Sequence, residues 1–147
     1  MLQPFAERSV DVVQQRVLSA QSGKQVVTLD FSDRNVLIVE DDILLALNLE
    51  RVLDEAGCSV IGPAPSVERA LARIDETRLD AALLDVNLGP ELVFPVADRL
   101  SAEGVPFIFV TGDPSKVPER HWTRPVVSKP FQEPALLEAL AAVMLPH

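Results

Sequence analysis

Val36-Leu37-Ile38-Val39-Glu40-Asp41-Asp42 is a run of four apolar residues that ends abruptly in three acids. An unbroken apolar run this short suits a strand buried on both faces. Beyond the acids the period changes. Leu45, Leu49, Val52 and Ala56 recur at helical spacing across residues 42–56, and Gly57 is a natural helix stop. The acids could serve only as a helix N-cap, where negative charge is favoured.

The alternation then repeats. Residues 58–61 read as a second strand, residues 62–65 as a Pro-rich loop, and Ser66 as the N-cap of a helix over residues 67–76. Ala81-Ala82-Leu83-Leu84 is a third strand and runs into Asp85. Pro90 introduces a helix over about residues 91–102 that stops at Gly104. Phe107-Ile108-Phe109-Val110 leads to the turn Thr111-Gly112-Asp113-Pro114. Residues 115–124 carry only a faint helical pattern broken by Pro118, which predicts a short or irregular fourth helix. Val126-Val127-Ser128 runs into Lys129-Pro130, and a last helix covers about residues 135–144.

Five strands alternating with helices predict an α/β protein, a doubly wound five-stranded parallel sheet with helices on both faces. In such sheets the ligand crevice lies beyond the carboxyl ends of the strands. Glu40, Asp41, Asp85, Thr111 and Lys129 all sit at such ends, so residues far apart in sequence should meet. Taken singly, each has a plainer reading: Asp85 as the start of an Asx turn, Thr111-Gly112 as any turn, Lys129-Pro130 as surface punctuation.

Composition narrows the partners. A formal net charge of −9 argues against a nucleic-acid surface, and any acid cluster will need a cation. Cys58 is the single cysteine, which excludes an intramolecular disulfide and fits a reducing cytoplasm. No apolar run approaches the ~20 residues of a membrane span. Residues 1–34 stand apart from a domain covering residues 35–147. Val10, Val13, Val17 and Ala20 predict one amphipathic helix over residues 7–21, either packed on its own domain or serving as a dimerisation arm. Residues 26–29 are an extra strand or an extended linker. Trp122 either covers the short fourth helix or anchors a partner.

Taken together, Val39-Glu40-Asp41-Asp42, Leu83-Leu84-Asp85-Val86-Asn87, Thr111-Gly112 and Lys129-Pro130-Phe131 resemble the receiver domain of chemotaxis-type two-component response regulators. Phe109-Val110-Thr111-Gly112 is similar to the stand-alone regulators with a Phe-Ala-Thr-Gly-type motif. Leu84-Asp85-Val86-Asn87-Leu88-Gly89 is similar to receivers partnered with sensor kinases of the HWE and related classes. The resemblance implies a flavodoxin-like sheet of order 2-1-3-4-5. It implies Asp85 as phosphoryl acceptor from a sensor histidine kinase or histidine phosphotransferase. Mg²⁺ is then bound by Asp41 and Asp85, by Glu40 through water and by the Asn87 carbonyl. Lys129, Thr111, Gly112 and Val86 would contact the phosphoryl group, and Asp113 would face it, unless Asp113 is only a turn acid. The chemistry agrees: a carboxylate attacking a phosphoryl group needs a hard cation, a compact ammonium and a hydroxyl donor to offset the gathered negative charge.

Two departures stand out from the family pattern. The position three before the lysine, usually aromatic, is Val126, and only 17 residues separate Thr111 from Lys129. The reporting surface should therefore be unusual, with residues 112–124 as the switch. Eighteen residues follow Lys129, enough for one helix, which points to a single-domain regulator that is not an enzyme and acts by protein contact. The competing readings are a phosphate sink for a shared kinase, a degenerate receiver used only for docking, and a metal-dependent phosphatase. The last often uses an Asp-x-Asp pair, and here Asn87, which cannot protonate a leaving group, takes the second place.

Overall fold

The computed structural model describes residues 31–144. The helix over residues 7–21, the segment at residues 26–29 and any arm they form lie outside the described residues. The elements run β1 (Asn35–Val39), α1 (Ile43–Glu55), β2 (Ser59–Ala64), α2 (Val67–Glu76), β3 (Ala81–Leu84), β4 (Asn87–Leu88), β5 (Glu91–Leu92), α3 (Phe94–Ala102), β6 (Phe107–Thr111), β7 (Val126–Ser128) and α4 (Glu133–Met144). Five of the strands form one parallel sheet in the order β2-β1-β3-β6-β7, which is the expected 2-1-3-4-5 once the small β4–β5 ribbon is set aside.

Alternation along the strands divides the core into two layers. Val36, Ile38, Leu83, Ile108 and Val110 pack with Leu49, Val52 and Leu53 of α1 and Leu136 and Leu140 of α4. Leu37, Val39, Leu84, Phe107 and Phe109 pack on the other face with Ala70 and Ile74 of α2 and Val96 and Leu100 of α3. Each fully buried large apolar side chain contributes roughly 1.5–3 kcal/mol, so the continuous apolar strands are what hold the sheet. The core also takes in Phe31, upstream of β1.

Helix ends follow local chemistry. The Asp42 carboxylate accepts the Leu45 N–H at 3.1 Å and starts α1, and Gly57, at φ +97°, turns the chain beyond its end. Ser66 Oγ accepts the Arg69 N–H at 3.2 Å at the start of α2, and the Glu91 carboxylate accepts the Val67 N–H at 3.0 Å. We expect Ser66→Ala to cost about 1 kcal/mol or less, since Glu91 keeps its own bond. A thermal melt lowered by roughly 4 °C or less would agree.

Two expectations are corrected. The second strand does not stop at Ile61. β2 continues through Gly62 and Pro63 to Ala64, with a register shift opposite β1 that lets Ala64 pair with Val39. An edge strand tolerates the missing proline N–H, and Gly62, at φ +94°, supplies the bulge. The third helix does not begin near Glu91. Residues 87–92 instead form the antiparallel β4–β5 ribbon, turning at Gly89-Pro90, and the proline in the helix's first turn is Pro95. Where a short or irregular fourth helix is expected over residues 115–124, the chain makes two 3-10 turns, Pro114–Lys116 and Glu119–His121.

Candidate functional site

The sheet brings the predicted residues together at the carboxyl ends of β1, β3, β6 and β7. Main-chain bonds fix them there. The Glu40 N–H donates to the Ala64 carbonyl at 3.0 Å, Asp85 N–H to the Val39 carbonyl at 2.9 Å, and Lys129 N–H to the Thr111 carbonyl at 3.1 Å. Glu40 and Asp85 are 2% and 7% exposed, so both carboxylates have been taken out of bulk water.

Lys129 resolves that cost. Its Nζ lies 2.9 Å from Asp85 Oδ2 and 3.0 Å from Glu40 Oε1. Burial alone would pull the ammonium down, but hydrogen bonds from Lys129 to Asp85 and Glu40 hold it above its ordinary value. Glu40 is pushed the other way. Burial raises it from 4.5 to about 7, against the lowering effect of Lys129 and of the Asp42 N–H, and the Asp85 charge adds to the rise. Among the described residues one cation serves both buried acids, which leaves the cluster short of positive charge.

Ligand atoms of Glu40, Asp41 and Asp85 lie within 4.8 Å of one another. This all-oxygen, acid-rich set fits a hard divalent cation such as Mg²⁺ and is unsuited to soft metals. Asp42, the third acid of the run, is not part of the cluster because its carboxylate caps α1.

Thr111 is fully buried, and its Oγ1 accepts the Asp113 N–H at 3.0 Å. Gly112 is exposed, and a Cβ there would meet nothing within 4 Å, so packing within the chain does not demand a glycine. Val86 is buried, and its carbonyl accepts the Val93 N–H at 3.0 Å. The Asn87 side chain reaches away from the acids: Nδ2 donates to Asp113 Oδ2 at 3.4 Å and Oδ1 accepts from Lys116 Nζ at 3.0 Å. Asp113 is held below the usual carboxylate value by Asn87, then by Lys116 and Ser115.

Lys116 and His121 carry no signal in the sequence pattern. His121 is buried against Phe94, Phe107 and Phe109, with Nε2 2.8 Å from Asp98 Oδ1. It fills the inward position of its turn, which leaves the adjacent Trp122 69% exposed, tethered through its Nε1–H to the Val117 carbonyl at 3.0 Å. Packing is therefore the role of His121, and Trp122 faces solvent. Val126 is 40% exposed. Cys58 is buried, and burial pushes its thiol up to about 12, which rules it out as a nucleophile at neutral pH.

A groove of about 650 Å³ opens at the opposite end of the sheet, lined by Arg34, Asp75, Arg78, Asp80 and Glu103 among others. It contains none of the predicted site residues and lies at the wrong strand ends for the crevice rule. No described helix is long and apolar enough to cross a membrane.

The sequence profile of the family described as response regulator receiver domain matches residues 36–141. The chain is 32% identical over 141 residues to the Phyllosphere-induced regulator PhyR of Methylorubrum extorquens, a match covering 92% of this chain and 52% of that protein. It thus spans about half the length of that curated relative. Among solved structures it is similar to SdrG from Sphingomonas melonis Fr1, at 41% identity and TM-score 0.63 over 76% of this chain and 96% of that one. The BeF3-activated conformation of SdrG from Pseudomonas melonis Fr1 gives 42% identity and TM-score 0.65, over 77% and 98% of the two chains.

Proposed function

The chain belongs to the response regulator receiver family, and from that premise we propose that it is a two-component regulator that accepts a phosphoryl group on Asp85 and signals by protein contact. The observation that carries this reading is Lys129 lodged between Asp85 and Glu40, with Asp41 beside them.

In the proposed transfer an Asp85 oxygen bonds to phosphorus as the bond from phosphorus to the donor histidine nitrogen breaks. Lys129 turns its ammonium from Glu40 to a phosphoryl oxygen. The Thr111 hydroxyl leaves the Asp113 N–H and donates to another. Glu40, Asp41 and Asp85, with the Asn87 carbonyl, would hold Mg²⁺, which when bound supplies the positive charge that one lysine cannot. Gly112 and Val86 would offer main-chain N–H groups to the remaining oxygens. Positioning and electrostatics do the work, as in phosphoryl transfer generally. The acceptor returns to a carboxylate by hydrolysis, so the protein is a switch and not an enzyme acting on a separate substrate.

The donor is a histidine kinase or histidine phosphotransferase. Ile43 and Leu44, 73% and 79% exposed in the first turn of α1, put an apolar patch beside the acids and suit such a partner. Phe109-Val110-Thr111-Gly112 is the basis for reading the chain as a regulator of the Phe-Ala-Thr-Gly group, and a role as phosphate sink would use the same site. The acidic chain favours no nucleic acid, and a cytoplasmic setting follows from the partners proposed.

Labelling with a small-molecule acyl phosphate in Mg²⁺ tests acceptance on Asp85. A second measurement tests the readout. With no aromatic at Val126, we expect beryllofluoride to move backbone NMR shifts across residues 112–124, because Asp113 N–H loses its Thr111 acceptor. Unchanged shifts there would sink this role for the segment.

A further inference from the structure

The connection from Asp85 to α3 is folded into the β4–β5 ribbon, with Asn87 opposite Leu92 and Leu88 opposite Glu91. A ribbon this short does not hold its own shape in water. Two contacts outside it supply the hold. Leu88 is buried and joins the core with Val86 and Val93. Across the same rung, the Glu91 carboxylate reaches out of the ribbon and accepts the Val67 N–H at 3.0 Å. Val67 is the first residue of α2, 24 positions earlier in the chain. Its N–H is one of the donors that a helix start leaves without an intrahelical partner, and an anionic acceptor suits it.

The ribbon borders the acid cluster. At its tip is Gly89, φ +68°, where an added Cβ would stand 3.7 Å from Asp41 Oδ2. Its first residue is Asn87, two beyond Asp85. In an antiparallel ladder, hydrogen-bonded and non-bonded rungs alternate. The Val93 N–H donates to the Val86 carbonyl at 3.0 Å, so the next rung, Asn87–Leu92, is a non-bonded one. The Asn87 carbonyl is thus turned away from Leu92 and left for a cation. Leu92 is 41% exposed, so that rung takes little hold from the core. What steadies it is the neighbouring rung, with Leu88 in the core at one end and Glu91 on α2 at the other.

We propose that Glu91 is a positioning residue: by tying the ribbon to the start of α2, it keeps the Asn87 carbonyl in place and tightens Mg²⁺ binding. This rests on the reading of Glu40, Asp41, Asp85 and the Asn87 carbonyl as the Mg²⁺ set. Glu91 is not among the clustered acids, so it acts through the ribbon and not as a ligand. Mg²⁺ demands near-octahedral placement of its ligands, so a carbonyl free to drift costs affinity. The coupling is also reciprocal. If the tether favours bound Mg²⁺, bound Mg²⁺ favours the tether, and the Val67 N–H reports it.

Calorimetric titration of the full chain with magnesium chloride reads the affinity, and amide hydrogen exchange at Val67 reads the tether. Glu91→Ala should weaken Mg²⁺ binding about five-fold or more. Glu91→Gln keeps an acceptor oxygen at the same reach and should recover most of that loss. Ser66→Ala removes the neighbouring cap of α2 without touching the ribbon, so Mg²⁺ affinity should stay at the parent's value. In the parent, saturating Mg²⁺ should slow exchange at Val67; in Glu91→Ala it should have no effect there. Equal Mg²⁺ affinity in Glu91→Ala and the parent overturns the tether while leaving the Mg²⁺ set standing. Affinity lost equally in Ser66→Ala also overturns it, because helix stability would then be the cause. Exchange at Val67 that ignores Mg²⁺ in the parent does the same. A parent chain that binds no Mg²⁺ overturns both readings.

Discussion

Asp85→Asn should reduce labelling by acetyl phosphate in Mg²⁺ to background while leaving the fold intact. Asn keeps the shape of the side chain but has no carboxylate oxygen with which to form an acyl phosphate. Stability should respond in the opposite sense from most buried-charge substitutions. Asp85 and Glu40 share Lys129, so removing one acid leaves a one-to-one pair with Glu40 still 3.0 Å from the ammonium. The Asp85 charge that helps raise Glu40 also disappears. The variant should therefore melt at or above the parent's temperature in metal-free buffer, making loss of label a chemical result and not an unfolding artefact. Label that persists in Asp85→Asn would move the acceptor elsewhere, with Asp41 the next carboxylate to examine.

Much of this site was legible in the sequence because strand ends are easy to read. Val36–Val39, Ala81–Leu84 and Phe107–Val110 are apolar without interruption, so their last residues locate Glu40, Asp85 and Thr111 with little ambiguity. Burial of both sheet faces also makes the parallel α/β reading the natural one. The errors fell where local signals are shared by different structures. Pro90 reads as a helix start, yet the same residue beside Gly89 turns a two-stranded ribbon, whose second strand places Glu91 to accept the distant Val67 N–H. Gly62-Pro63 reads as loop, yet an edge strand accepts it as a bulge. Lys116 and His121 were invisible for another reason. Their partners Asn87 and Asp98 lie 29 and 23 residues away, across connections that no periodicity encodes.

Lys129→Met carries the other large effect, and on two observables. Labelling should slow by about a hundred-fold, because the ammonium paired with Asp85 is lost. Stability at neutral pH in chelator-treated protein should fall by about 3 kcal/mol, since two nearly buried carboxylates are left without a counter-charge. The pH dependence identifies the cause. Glu40 is held near 7 against an ordinary 4.5, so between those values the folded chain keeps a proton that the unfolded chain has lost. Its contribution is full below 4.5 and drains away as pH rises through 7. In the parent this amounts to about 2 kcal/mol once water at the open mouth is allowed for. Without Lys129, the hydrogen bond that lowers Glu40 is gone, so the loss should extend to higher pH and grow larger in total. Added Mg²⁺ should recover stability in the variant more than in the parent, because binding to the folded state alone is stabilising and a fuller negative charge awaits the ion. A variant as stable as the parent at pH 8 without divalent ions would mean that solvent, not Lys129, balances Glu40 and Asp85. The electrostatic basis proposed for the site would then fail.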